Sequence, residues 1–390
     1  MFHTPHALHW LTDELDALQR DGLLRRRRTV TPLPGGGCDV DGRRLRNFAG
    51  NDYLGLAHDE RLIAAARTAL EHCGSGATAS ALVAGRTIWH ERLERRLAEF
   101  ERQEAAILFP TGYAANAGTV SALIGPEDVI FCDRLNHAGL IDGCRLSGAK
   151  LRIYRHDRLE RLERELQKPN AARRRWIITD AVFSMDAELA PLRELCDLAE
   201  RFGAEVLVDE AHGTGVFGRG GRGVAEELGV EDRIAVRVGT LSKAAASLGG
   251  FVAGPQPLID TLWNSARPQM FSTALPPSAC AAAVAALEII EQEPERRARL
   301  RSLSAHLRRR LRNEDYDVPG ADDAPIVPVV LGEPDAAVAA AGRLEQAGLL
   351  VAAIRPPTVP HGTSRLRITV SASHSQRDVE DLARANSCRR

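Results

Sequence analysis

Between residues 60 and 260 the chain alternates between two hydrophobic rhythms. Apolar side chains recur at intervals of three and four over 60–72, 87–102 and 191–202, which predicts helices. Short apolar runs fall around them: Ala105–Phe109, Val129–Cys132, Trp176–Thr179, Glu205–Val208, Ile234–Val238 and Gly250–Ala253. Each is bounded by Gly, Pro or polar turn residues. Such runs predict strands buried on both faces of a mostly parallel sheet. The alternation as a whole predicts an α/β domain of about 200 residues.

The flanks read differently. Leu8, Leu11, Leu15 and Leu18 lie near one helical face, and the periodic stretch 8–28 ends in Arg25-Arg26-Arg27-Arg28. Pro32, Pro34 and Gly35–Gly37 break it, and Asp41-Gly42 marks a tight hairpin turn. After Pro276-Pro277, helices are predicted over 279–293 and 295–312. A strand (326–331), a helix (334–346), a strand (349–354), a Pro-rich loop (355–363), a strand (365–370) and a helix (376–385) complete a smaller α+β unit.

Composition narrows the function. With 51 Lys+Arg against 52 Asp+Glu, a formal net charge of −1 argues against a chain built to coat nucleic acid or an anionic membrane. The longest apolar stretch, 278–290, is interrupted by Glu288 and is shorter than the roughly 20 residues of a spanning helix. No basic, then apolar leader opens the chain, and the seven cysteines show no C-x-x-C spacing. The expectation is a reduced, cytoplasmic enzyme with no metal, no nucleic acid and no membrane partner. Lysine occurs only at Lys150, Lys168 and Lys243, and every other cation is arginine. Chemistry that needs an amine therefore has three side chains to choose from.

Two segments carry candidate chemistry. Val206–Asp209 is a buried strand closed by an acid, and Glu210-Ala211-His212-Gly213 follows. In open α/β sheets ligands bind beyond the carboxyl ends of strands, so Asp209 is poised to meet a ligand cation. The letters D-E-A-H also occur in ATP-driven nucleic-acid remodellers. That reading needs a Gly-Lys-Ser/Thr phosphate loop, and none of the three lysines follows a glycine or precedes Ser or Thr. Lys243 ends Gly239-Thr240-Leu241-Ser242-Lys243 and is followed by Ala244–Ala246, a small apolar setting that favours a nucleophilic amine and leaves room for a ring. A lysine that forms an imine, with an aspartate for the pyridinium nitrogen, is the arrangement of pyridoxal 5'-phosphate (PLP). Thr111-Gly112-Tyr113 forms a strand-to-helix turn able to hold a phosphate, although on this segment alone an ordinary helix cap is the favoured reading.

From about Leu24 to Leu382 the chain resembles the α-oxoamine synthases, a branch of the fold-type-I PLP enzymes with the aspartate-aminotransferase-like fold. The matching segments are Asn51–Leu56, Thr111–Tyr113, Asp133–Ala138, Val182–Asp186, Asp209–Gly213, Thr240–Lys243 and Phe271–Thr273. Within the family, Ile354–Pro360 and Gly362–Arg367 resemble the members that join L-alanine to a pimeloyl thioester. The resemblance implies an N-terminal helix and arm packing with the small domain (1–47), a large PLP-binding domain (48–270) and a C-terminal small domain (271–390). It implies a decarboxylative Claisen-type condensation with pimeloyl-CoA or a pimeloyl-carrier protein, and a homodimer with shared active sites.

The same resemblance implies the residue roles. Lys243 bonds the cofactor and then shuttles the alanine α-proton. Asp209 keeps the ring nitrogen protonated, His137 stacks on the ring, and Ser184 and His212 bond the ring's 3-oxygen. Thr111, Gly112, Tyr113 and Thr240 lie around the cofactor, and Thr273 reaches the phosphate from the partner subunit. Asn51 and Arg367 take the alanine carboxylate, a geometry that suits a planar guanidinium. Arg25, Arg355 and Thr358 face the acyl substrate. Ala81 departs from the pattern, standing where family members often carry arginine. Sister enzymes that use glycine or serine with another acyl-CoA, and an ordinary aminotransferase, are the competing readings. Arg25–Arg28 otherwise reads as a solvated helix end, and most of the 12 histidines as surface or loop residues.

Overall fold

The structure is a computed structural model that describes residues 6–169 and 171–387. Residues 1–5 and Cys388 lie outside the described residues. The chain forms two units, one from Asn51 to Ser302 and one from the segments up to Gly50 and from Leu303 onward.

In the N-terminal segment the predicted helix 8–28 is cut short. It spans Trp10–Arg20, and the Asp21-Gly22 turn ends it, with Gly22 at φ +66°. A left-handed backbone there suits glycine and stops the helix before the arginines. None of its residues is buried, and Leu11, Leu15 and Leu18 are exposed. Strands β1 (Val30–Leu33), β2 (Gly37–Val40) and β3 (Arg43–Asn47) follow. The β2–β3 hairpin turns at Asp41-Gly42 with φ of 52° and 84°, the positive values a two-residue hairpin needs.

The larger unit contains seven strands: β4 (Ala105–Phe109), β5 (Val129–Asp133), β6 (Lys150–Tyr154), β7 (Arg175–Asp180), β8 (Glu205–Asp209), β9 (Val236–Thr240) and β10 (Gly250–Gly254). They form one sheet in the order β4-β10-β9-β8-β7-β5-β6, and only β10 runs antiparallel to its neighbours. The core joins Ile107, Phe109, Ile130, Trp176, Ile178, Leu207, Val238 and Val252 of the strands to helix residues such as Ala115, Val120, Leu140 and Leu262. Each fully buried Leu or Ile contributes about 1.5–3 kcal/mol of transfer free energy.

Two differences from the sequence reading have local causes. The strand expected at Ile234–Val238 is Val236–Thr240, because a 3-10 turn over Glu231–Arg233 ends in a cap at Ile234, the expected start. It tolerates a central charge because Arg237 Nη1 donates to Glu101 Oε2 at 2.9 Å, both side chains being buried. Strand β6 lacks an apolar run because it lies at the sheet edge, where Lys150 and Arg152 reach solvent.

Beyond Leu303 the second unit adds β11 (Ile326–Gly332), β12 (Leu349–Leu350), β13 (Ala352–Ile354) and β14 (Ser364–Thr369). The expected strand 349–354 is two strands in two sheets. β12 extends β1-β2-β3, whereas β13 pairs with β14 beside β11. The helix Pro334–Gln346 has its expected bounds. Among the described residues no helix is long and apolar enough to cross a membrane, and no cluster of His, Cys, Asp and Glu could hold a metal.

Candidate active site

The carboxyl ends of β7, β8 and β9 open on a cavity of about 240 Å³. Asp209, Asp180, Thr240 and Lys243 line it from this side. Thr111, Gly112, Tyr113 and Asn116 line it from the start of the helix Gly112–Leu123, and His137, Ser184 and His212 from loops. Nine residues expected around one cofactor from scattered motifs therefore meet at one place.

The wall around Asp209 is built by donors. Asn116 Nδ2 donates to Asp209 Oδ2 at 2.5 Å, and the Ala211 N–H donates to Oδ1 at 2.7 Å. The acid is thus aimed by one helix and one turn. The helix start is set by Thr111, whose hydroxyl accepts the Ala114 N–H at 3.0 Å, so this residue is an N-cap as well as a cavity residue. The remaining N–H groups of a first helical turn, with the positive end of the helix dipole, make a place for a phosphate. A Cβ on Gly112 would come within 3.0 Å of Thr240 Oγ1, so the cradle needs a residue without one. Thr240 is itself fixed, donating to Gly249 O at 2.9 Å.

The two imidazoles are held differently. His137 caps the helix Ala138–Leu146: its Nδ1 accepts the Gly139 N–H at 3.1 Å, and its own backbone N–H donates to Asp180 Oδ2 at 3.1 Å. Accepting at Nδ1 selects the neutral ring, and burial pushes its pKa down in agreement. His212 Nδ1 lies 2.6 Å from the Tyr53 hydroxyl, which donates to Asn51 Oδ1 at 3.3 Å. Asn51 therefore connects to the cavity through Tyr53.

Glu210 points away from the cavity and secures the turn. Its carboxylate accepts the Val224 and Ala225 N–H groups at 3.0 and 2.8 Å. Full burial raises its pKa to about 7, against those bonds. A Cβ on Gly213 or Gly223 would lie 1.9 or 2.4 Å from Glu210 Oε2, so both glycines make room for the acid. This is the physical content of the Asp-Glu-Ala-His-Gly run.

Other expected residues lie elsewhere. Thr273 does not line the cavity; it bridges to Ser80. Arg25, Arg355, Thr358 and Arg367 belong to the second unit. There Arg25 Nη2 donates to Pro356 O at 3.2 Å, Arg355 Nη1 donates to Gly22 O, and the Thr358 N–H donates to Arg355 O at 3.1 Å. Arg365 and Arg367 share a face of β14, and both are buried. Arg367 donates to Thr369 Oγ1 at 3.1 Å. Lys168 pairs with Glu165 on the surface. Among the histidines, His90, His212 and His374 are buried, the last two in loops, and His156 is nearly so.

Four polar cavity or near-cavity residues are not singled out from the sequence: Asn116, Asp180, Ser242 and Tyr53. Asp180 carried a usable signal, being an acid at the end of a buried strand like Asp209. Asn116 lies five positions beyond Thr111 and shows its role only once the helix sets it against Asp209.

The amine, the aimed acid, the neutral imidazole and the glycine-floored helix start suit the donor set that PLP requires. This fold and site define a fold-type-I PLP enzyme. Residues 43–385 match the aminotransferase class I and II family model. The chain is 50% identical over 379 residues to 8-amino-7-oxononanoate synthase of Anaeromyxobacter dehalogenans (strain 2CP-1 / ATCC BAA-258), covering 97% of this chain and 95% of that one. It is 46% identical to 8-amino-7-oxononanoate synthase 2 of Bacillus subtilis (strain 168), over 96% and 95% of the two chains. Among solved structures, the Sphingomonas wittichii serine palmitoyltransferase superposes with a TM-score of 0.92 at 35% identity, covering 99% of this chain and 98% of that one. The chain belongs to the 8-amino-7-oxononanoate synthase family, within the class I and II aminotransferases, and is a PLP-dependent acyltransferase.

Proposed function

We propose that this enzyme condenses L-alanine with a pimeloyl thioester, carried on CoA or on a carrier protein, to give 8-amino-7-oxononanoate, CO2 and free thiol. The observation that carries the reading is the convergence of Lys243, Asp209, His137, Ser184, His212 and Thr240 on one cavity, in a chain half identical to synthases of that name. When bound, PLP supplies a carbonyl that an amine can attack and an electron sink for the pair left on an amino acid's α-carbon.

The protein's own residues do the rest. Lys243 Nζ holds the cofactor and then takes and returns the alanine α-proton. Asp209, aimed by Asn116 and the Ala211 N–H, holds the proton on the ring nitrogen. His137 covers one ring face as a neutral imidazole. Ser184 and His212 donate to the 3-oxygen, with Tyr53 fixing the angle of His212. Thr111, Gly112, Tyr113 and Thr240 hold the phosphate end, joined by Thr273 of a second copy in a homodimer. Asn51 and Arg367 bind the alanine carboxylate, and Arg25, Arg355 and Thr358 bind the acyl substrate. We also propose a cytoplasmic setting and the dimer, for a chain whose described residues hold no helix long and apolar enough to cross a membrane.

Thiol release tests the reading. Alanine with pimeloyl-CoA is expected to outpace glycine or serine with acetyl-, succinyl- or palmitoyl-CoA. A faster rate for glycine with a short acyl-CoA rejects the assignment in favour of a sister synthase. Amino-group transfer to a keto acid without CO2 release rejects it in favour of an aminotransferase.

A further inference from the structure

Outside the cavity, one imidazole is held between two carboxylates. His156 lies in the turn after β6, its Nδ1 3.1 Å from Asp133 Oδ2 and its Nε2 2.6 Å from Glu188 Oε2. An ionised carboxylate only accepts, so both ring nitrogens carry protons and the ring is an imidazolium. Phe183 stacks on it at 4.0 Å between centroids and 19° between planes. The His156 side chain is 8% exposed and that of Asp133 0%.

The two acids do not line the cofactor cavity but lie on segments that lead to two of its walls, those of His137 and Ser184. Asp133 closes β5, and its Oδ1 accepts the Leu135 N–H at 2.8 Å, starting the turn that delivers His137. Glu188 belongs to a tight hairpin. Phe183 N–H donates to Glu188 O at 2.9 Å, Ala187 N–H donates to Phe183 O at 2.8 Å, and Val182 bridges to Leu189. Ser184 rides on that hairpin beside Phe183. The imidazolium and its stacked ring therefore reach both the approach to His137 and the loop of Ser184.

We propose that His156 is a positioning residue: it clamps the hairpin bearing Ser184 to the strand end that leads into His137, and so fixes the separation of two walls of the cofactor cavity. The inference rests on the PLP reading of that cavity and adds a residue outside it. On the ring's own segment the charged neighbours in sequence are Arg155, Asp157 and Arg158. Arg155 and Asp157 satisfy each other at 2.8 and 2.6 Å, which leaves Asp133 and Glu188 facing the ring.

Burial pushes this imidazole's pKa down, but the hydrogen bonds and charges of Asp133 and Glu188 outweigh burial and lift it to about 9. The unfolded value is about 6.5, so the raised pKa stabilises the clamp fully below that pH and the contribution is lost as pH rises through about 9.

The test is PLP affinity, read by titrating the visible absorbance of wild type, His156→Gln and Glu188→Gln from neutral to alkaline pH. His156→Gln is expected to weaken PLP binding at neutral pH by about tenfold, the loss of one charge-assisted hydrogen bond. Glu188→Gln keeps an acceptor but removes one charge, so its alkaline loss of affinity is expected at least about one pH unit below that of wild type. If His156→Gln does not fold, the Glu188→Gln profile decides alone. Wild-type binding with an unchanged Glu188→Gln profile, or with His156→Gln binding as tightly as wild type, overturns this inference alone. A wild-type protein that takes up no PLP overturns the cofactor reading and this inference with it.

Discussion

Asp180 and Asp209 close neighbouring strands and stand opposite one another in the β7–β8 register, yet the chain equips them differently. Asp209 has a donor for each oxygen, the Asn116 amide and the Ala211 N–H. Asp180 accepts the His137 N–H on one oxygen, and its other oxygen is buried with no hydrogen-bond partner among the described residues. Burial first, and then the charge of Asp209, push the Asp180 carboxyl well above its usual range. Two identical side chains at equivalent places thus divide the work. One is held by two donors at the cavity wall, and the other is pushed toward its protonated form and pins the backbone of His137. The supply of donors decides which is which.

That division can be broken at Asp209 with the largest effect. Asp209→Ala removes the proposed partner of the ring nitrogen and is expected to lower kcat/KM by roughly a thousandfold or more, in line with the loss of a group acting in the transition state. Asp180→Asn keeps a neutral, hydrogen-bonding side chain and is expected to stay within about tenfold of wild type. Steady-state thiol release measures both, and equal losses would erase the distinction.

Asn116→Ala probes the donor. It leaves Asp209 in place but strips a hydrogen bond to a charged group, worth about 1.5–3 kcal/mol, so PLP affinity is expected to fall by about ten- to a hundredfold. A variant that binds PLP as wild type does would show that the Ala211 N–H aims the acid unaided.

The smallest effect is on stability. The raised pKa of Asp180 means the folded protein keeps a proton that the unfolded chain gives up above about pH 4. Stability therefore falls as pH rises from there toward the folded value. Asp180→Asn removes that slope. Its melting temperature relative to wild type is expected to improve from about pH 5 to pH 8, by a few degrees at most. A difference that stays constant with pH would mean that Asp180 is already charged.

The same contrast shows what the sequence made legible. An acid at the end of a buried strand marks a ligand-facing position, and this signal applies to Asp133, Asp180 and Asp209 alike. Asp133 opens a matching segment whose chemistry falls on His137, so of the three acids only Asp209 is given a role from the sequence. The other two depend on tertiary partners, for Asp133 faces His156, and Asp180 holds the backbone of His137. Buried strands such as Ala105–Phe109 were visible because burial on both faces forces a continuous apolar run. The edge strand Lys150–Tyr154 is not, because only Tyr154 of it is buried. The N-terminal helix was read too long because Leu23 and Leu24 extend the apolar pattern past Gly22, whose positive φ overrides it. The split of 349–354 followed from pairing with two different sheets, which no local pattern encodes.

The central claim is that one of three lysines forms a covalent bond with the cofactor. Borohydride reduction of the PLP-loaded protein followed by peptide mass mapping tests it directly. The expected result is a phosphopyridoxyl group on the peptide that carries Lys243 and none on those that carry Lys150 or Lys168. A label on either of the latter two, or no label at all, would contradict it.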